Sequence, residues 1–197
     1  MSGMSSGDER PMVEAEPITE AVAPEVDQVL AAAVREVEQH VAEDGWDKPS
    51  RLYALVPTAD LVHGEPGRAA AMGIDEVSAA GSLTPVEQDH TPVDRSVEEV
   101  LAQIMWPAEV FGCAAVVERL VLPPEVEDQI PADPDAAEEF AAEHPERQEV
   151  RIVAAATRAG STYCALRFRS HDDQSDVVGS QDLVPALLEL LASTLEN

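Results

Sequence analysis

The chain has 197 residues, 45% of them hydrophobic and only 4% aromatic, which argues against wholesale disorder and for one core built from Ala, Val, Leu and Ile. Its 39 Asp and Glu against 12 Lys and Arg give a formal net charge of -27, a surface that repels phosphate backbones and anionic head groups, so neither nucleic acid nor membrane is an expected partner. With no apolar run of about 18–20 residues, no signal-peptide pattern and only Cys113 and Cys164, a soluble, reduced, cytoplasmic protein is expected.

Residues 1–23 are rich in Ser, Gly, Glu and Pro without a sustained period and read as a disordered acidic tail, followed by a single domain over 24–197. Val26, Leu30, Val34, Val37 and Val41 recur at three- and four-residue spacing, which predicts a helix over 25–43 stopped by Gly45. "GWDKPS" turns the chain, and "RLYALV" alternates as a strand until Pro57 closes it. Trp46 reads as an anchor over this corner, because a lone Trp in a chain poor in aromatics carries burial. Thr58 or Asp60 is placed to cap a short helix, "RAAAMG" suggests another, and "LTPVEQ" fits a short edge strand because Pro85 excludes a central one. "HTPVD" at 90–94 reads as a loop.

Ser96 and Glu99 have the spacing of a capping box, opening a helix with Val97, Val100, Leu101 and Ile104 on its apolar face and Pro107 at its end. Residues 110–122, interrupted only by Glu118 and Arg119, predict a long buried strand. An acidic insertion at about 124–147 is expected to be solvated and mobile, with Asp135 capping a short helix over "AAEEFAAEH". "EVRIVAAAT" and "TYCALRFRS" flank Gly160 as a hairpin. If Val150, Ile152, Ala154 and Ala156 share a core face with Cys164, Leu166 and Phe168, then Ile152 stands opposite Phe168 and Ala154 opposite Leu166. That pairing needs a loop of three or five residues, and it gathers Arg151, Arg167 and Arg169 on the other face. After the polar stretch "SHDDQSDVVGSQ", Leu183, Leu187, Leu188, Leu191 and Leu195 predict a final helix, capped by Ser180 or Asp182, with Pro185 in its first turn. The order predicts an α+β fold, a mostly antiparallel sheet of four to five strands covered by helices on one face.

Chemistry-bearing motifs are scarce. P-loop, GxGxxG, HExxH, paired CxxC, GxSxG and EF-hand patterns are absent, and no cofactor is expected. His171, Asp172, Asp173 and Asp176 form the most metal-like grouping, yet so acidic a chain clusters carboxylates by chance, and no metal site is assigned. Cys113 and Cys164 fall in predicted strands and read as buried and inert. Arg151, Arg167 and Arg169 form an unusual basic face for this composition. One reading pairs them with the protein's own carboxylates; the other has them dock an acidic peptide or carboxylate ligand through bidentate guanidinium contacts. Trp46, Asp47, Arg51 and Tyr53 offer an alternative, an enzyme or small-molecule site at the 45–57 corner. The favoured expectation is a non-enzymatic protein-binding or adaptor module whose partner is another protein or an acidic peptide, with homodimerisation open.

Five blocks in this order, "GWDKPSRLYALVPTADL", "LTPVEQ", "WPAEVFGCAAVVERLVLPP", "HPERQEVRIVAAATRAGSTYCALR" and "DLVPALLELLASTL", resemble an uncharacterised family of cytoplasmic actinobacterial proteins. The resemblance covers about residues 25–195. It implies a bacterial cytoplasmic single domain and brings no activity or site residue with it.

Overall fold

The computed structural model describes residues 26–71, 73–88, 95–173 and 176–196. The expected acidic tail and the 90–94 loop lie outside the described residues. Helix α1 (Gln28–Glu43) starts where the Asp27 carboxylate accepts the amides of Val29 and Leu30, and it buries the stripe Leu30, Val34, Val37 and Val41. Strand β1 (Arg51–Pro57) follows, then three short helices, α2 (Thr58–Gly64), α3 (Pro66–Ala71) and α4 (Glu76–Ala79), and the edge strand β2 (Leu83–Glu87). Helix α5 (Val97–Leu101) opens with the Ser96–Glu99 capping box. Strand β3 (Gly112–Val121) leads to a 3-10 helix over Pro124–Gln129 and to α6 (Pro134–Glu143). The hairpin β4 (Gln148–Thr157) and β5 (Thr162–Phe168), a 3-10 turn over Arg169–His171, β6 (Val178–Ser180) and α7 (Pro185–Ser193) complete the chain.

The strands form one antiparallel sheet in the order β2-β1-β3-β4-β5-β6, six strands where four to five are expected. The sixth, β6, is three residues long and half exposed at Val178, so no alternating apolar pattern announces it. Helices cover both faces of the sheet, not one. Leu52, Ala54, Cys113, Ala115, Val117, Ile152 and Ala154 lie under α5 and α7, while Tyr53, Leu55, Ala114, Val116, Val153 and Ala155 lie under α1. The near-continuous apolar runs of β3 and β4 are the signature of a strand buried on both sides. Their alanines also let a helix approach closely from either side. Gly112 lets β3 pass close to the neighbouring strand β4, because a Cβ there would sit 2.6 Å from the Ala156 carbonyl oxygen.

The hairpin has the expected parity but not the expected partners. Ile152 faces Leu166 rather than Phe168, and Ala154 faces Cys164 rather than Leu166. Gly160 at φ +85° ends the three-residue loop 158–160 instead of standing at its centre, so Thr157 pairs with Ser161 and every partner moves by two. Two caps also differ from expectation. Asp133, not Asp135, caps α6, since Pro134 takes the first helical position. Neither Ser180 nor Asp182 caps α7, which begins at Pro185 without a side-chain cap; Ser180 belongs to β6 and its hydroxyl donates to Asp182. Leu183 accordingly lies outside that helix and is 40% exposed.

Candidate functional site

Antiparallel pairing sets Arg151 on β4 directly opposite Arg167 on β5, on the face beneath α1, and each side chain is only 2% exposed. Like charges facing each other across a ladder are destabilising, and a buried guanidinium without a partner costs more still. The chain's own carboxylates answer Arg167, and Arg151 only in part, since its Nη1 is buried without a partner among the described residues. Arg167 donates from Nε and Nη2 to Glu38 Oε1 and Oε2 at 2.5 and 2.8 Å, a buried bidentate pair, and Asp172 Oδ1 stands 3.5 Å from its Nη1. These contacts raise the Arg167 pKa, with Glu38 the largest cause. Arg151 donates to the Gly45 carbonyl and, at 3.3 Å, to Glu118.

Trp46 closes this cluster from the corner loop. Its ring lies 4.3 Å from the Arg151 guanidinium and 5.6 Å from that of Arg169, and its Nε1 donates to Asp172 Oδ2 at 3.0 Å. Arg169, at the rim, donates to both Asp47 oxygens at 3.0 and 2.9 Å and also to Glu149. Hydrogen bonding from Arg169 holds the Asp47 carboxyl below the usual carboxylate range. Asp47 adopts a left-handed φ of +62°, which Asp tolerates better than most residues, and its amide donates to Glu118.

The basic face expected from the sequence therefore exists as a set of residues but not as a surface. Arg151 and Arg167 are buried and paired with internal carboxylates, Arg151 through Nη2 alone while its Nη1 is buried without a partner among the described residues, which corrects the picture of an exposed patch open to an acidic peptide. The matching carboxylates come from α1, the 44–47 corner, β3, β4 and the loop after β5, not from the acidic insertion. Glu38 is the residue that sequence reasoning passed over. It sits next to Val37 on the buried stripe of α1, and a carboxylate there signals a buried cation opposite.

The remaining corner residues serve other contacts. Arg51 donates to Asp44 at 2.6 Å and stands 3.8 Å from Glu87, tying β1 to the end of α1 and to β2. Arg51 and Arg151 border a cavity of only about 10 Å³. Tyr53, 3% exposed, borders a different and larger cleft between α1 and β2. Trp46 and Asp47 work in the arginine cluster, so the four corner residues do not converge on one cavity. Cys113 is buried, and burial pushes its thiol up to about 11; burial raises Cys164 as well. Neither supplies a thiolate at neutral pH.

The acidic insertion is folded rather than structureless. Val126, 8% exposed, anchors it, and α6 stands on the outer end of β3 without fully burying any of its residues. Ala137 and Ala141 of α6 face Leu120, Pro124 and Ile130 across a groove of about 490 Å³, and Leu120 and Ile130 remain 40% and 39% exposed. Exposed carboxylates flank it on the same segments, among them Glu125, Asp128, Glu138 and Glu139. No sequence window shows this groove, because its walls come from three separate segments: β3, the turn after it and α6.

The family model for PPA1309-like protein matches residues 30–196, most of the chain. The chain belongs to the PPA1309-like family. No curated protein and no solved structure matches it. The PPA1309-like span begins at Leu30, the first buried residue of α1, and takes in both the arginine cluster and the groove beside α6. Among the described residues, no helix of this PPA1309-like chain is long and apolar enough to cross a membrane.

Proposed function

We propose that the protein is a non-enzymatic protein-binding module that docks a basic, amphipathic segment of a partner protein in the groove between α6 and the end of β3. The observation that carries this reading is the combination of exposed apolar walls at Leu120 and Ile130 with a rim of carboxylates. An apolar floor gains from burying an apolar partner face, and a negative rim selects Lys and Arg around it while speeding encounter. The reading keeps the adaptor role and reverses the sign of the partner, since the buried arginines are already neutralised.

Selection of displayed peptides against the full-length protein tests it, with Ile130→Glu combined with Ala141→Glu as the counter-selected variant. The expected peptides alternate apolar residues with Lys or Arg and lose at least tenfold in affinity for the variant. Enrichment of acidic peptides, equal binding to the variant, or no enrichment at all would overturn the assignment.

A further inference from the structure

A separate cleft opens between α1 and the β5–β6 edge of the sheet. Alternation along β5 puts Tyr163, Ala165 and Arg167 on the face beneath α1, and the helix lays Arg35 and Glu38 over them. The cleft measures about 350 Å³, within the range of small-molecule sites. Its charges are unevenly matched. Glu38 gives both carboxylate oxygens to Arg167, and Asp172, 3.5 Å from the same guanidinium, is not part of the cleft wall. Arg35 has no carboxylate within ion-pair distance among the described residues. Its Nη2 donates to Tyr163 Oη at 3.2 Å, and its guanidinium carbon lies 5.6 Å from the centre of that ring. A cation without an anionic partner therefore faces the cleft in a chain of net charge -27, where carboxylates are plentiful. Tyr163 is 5% exposed; its hydroxyl accepts from Arg35, and the O–H proton has no acceptor among the described residues. Gly179 of β6 clears the space beside that hydroxyl, since a Cβ there would sit 2.2 Å from Tyr163 Oη. Ala165 and Val177 add an apolar wall to the same cleft.

We propose that this cleft binds a small organic monocarboxylate, its carboxylate received by the Arg35 guanidinium and the Tyr163 O–H and its apolar part laid against Ala165 and Val177. The planar fork of a guanidinium matches a carboxylate in charge and geometry, and the hydroxyl proton supplies a further donor. The contact between Arg35 and Tyr163 holds both donors together before the ligand arrives, which lowers the cost of ordering them. The charge of the wall sets the valence. With Glu38 spent on Arg167, one positive charge is left over, and a dianion would keep a second negative charge unmatched beside Glu38 in the field of an acidic chain. Arg167, expected from the sequence to meet such a ligand itself, instead holds Glu38 in a closed pair, so that Arg35 can meet it. The cleft shares no residue with the groove beside α6, so the two proposals stand or fall separately.

The test uses the full-length protein at pH 7 and fixed ionic strength. Hexanoate and benzoate are titrated beside hexanamide, which lacks the charge, and inorganic phosphate, which carries more of it, with binding read by calorimetry and by the melting temperature. The variants are Tyr163→Phe, which leaves the net charge unchanged, and Arg35→Gln. The expected result is saturable binding of at least one carboxylate, weakened about fivefold or more in Tyr163→Phe by loss of a hydrogen bond to a charged group. Arg35→Gln, which removes the countercharge as well, is expected to weaken it about tenfold or more. Hexanamide and phosphate are expected to bind at least tenfold more weakly than the carboxylate. No saturable binding of either carboxylate, equal affinity of wild type and either variant, or binding of hexanamide or phosphate as tight as that of the carboxylate overturns the assignment. A Tyr163→Phe chain that does not fold shows no unfolding transition, and Arg35→Gln, a change at an exposed residue, then decides alone.

Discussion

Replacing Glu38 by Ala strips the buried Arg167 guanidinium of its bidentate partner. The two side chains are 5% and 2% exposed, and two charge-assisted hydrogen bonds at 2.5 and 2.8 Å join them. Removing one member of such a pair leaves an uncompensated charge away from water and costs about 3–5 kcal/mol. Asp172 offers partial relief from 3.5 Å with a half-exposed carboxylate, which places the expected loss near the lower end, about 3 kcal/mol. For a chain of this size that corresponds to about 6–12 °C in melting temperature. Urea unfolding at pH 7 followed by tryptophan fluorescence measures it, and Trp46 reports directly because it stands over the same cluster. The double variant Glu38→Leu with Arg167→Met removes both charges and is expected to recover most of the loss, since a buried ion pair gains little over apolar packing of similar volume. A loss below about 1 kcal/mol for Glu38→Ala would refute the reasoning, because exposed pairs fall in that range. So would a double variant less stable than the single one.

Trp46→Ala removes the stack on Arg151 and the bond to Asp172 and is expected to cost about 1–3 kcal/mol in urea unfolding, with Trp46→Phe falling between it and wild type. Gly112→Ala drives a Cβ to 2.6 Å from a backbone oxygen of the central strand β4, which cannot swing aside, and should cost about 1–3 kcal/mol in the same assay. Cys113 and Cys164 should both resist a thiol reagent at pH 8 in the native protein and both react in denaturant. The Cys113 thiol is raised from 9.0 to about 11, so its contribution to stability is whole below pH 9 and is lost as the pH rises to about 11. Stability measured across that window should fall more steeply in wild type than in Cys113→Ala, and equal slopes would refute the assignment.

Local signals carried most of the secondary structure. The stripe of α1, the Ser96–Glu99 box, the closure of β1 by Pro57 and the weak edge strand bearing Pro85 are all set by neighbours within a turn or a few residues. The hairpin around Gly160 and the grouping of the arginines on one face were legible too, because side-chain alternation fixes parity. Parity leaves the register open by steps of two, and only the left-handed Gly160 at the end of its loop decided that Ile152 meets Leu166. The sequence by itself therefore determined which elements form and which side chains share a face. Tertiary structure decided what covers each face: α1 lies over the arginine side, carrying Glu38 to Arg167 across 129 positions of sequence. A long-range ion pair of this kind leaves no periodic trace in the chain, because its energy depends on burial and distance, and both are set only when the helix docks.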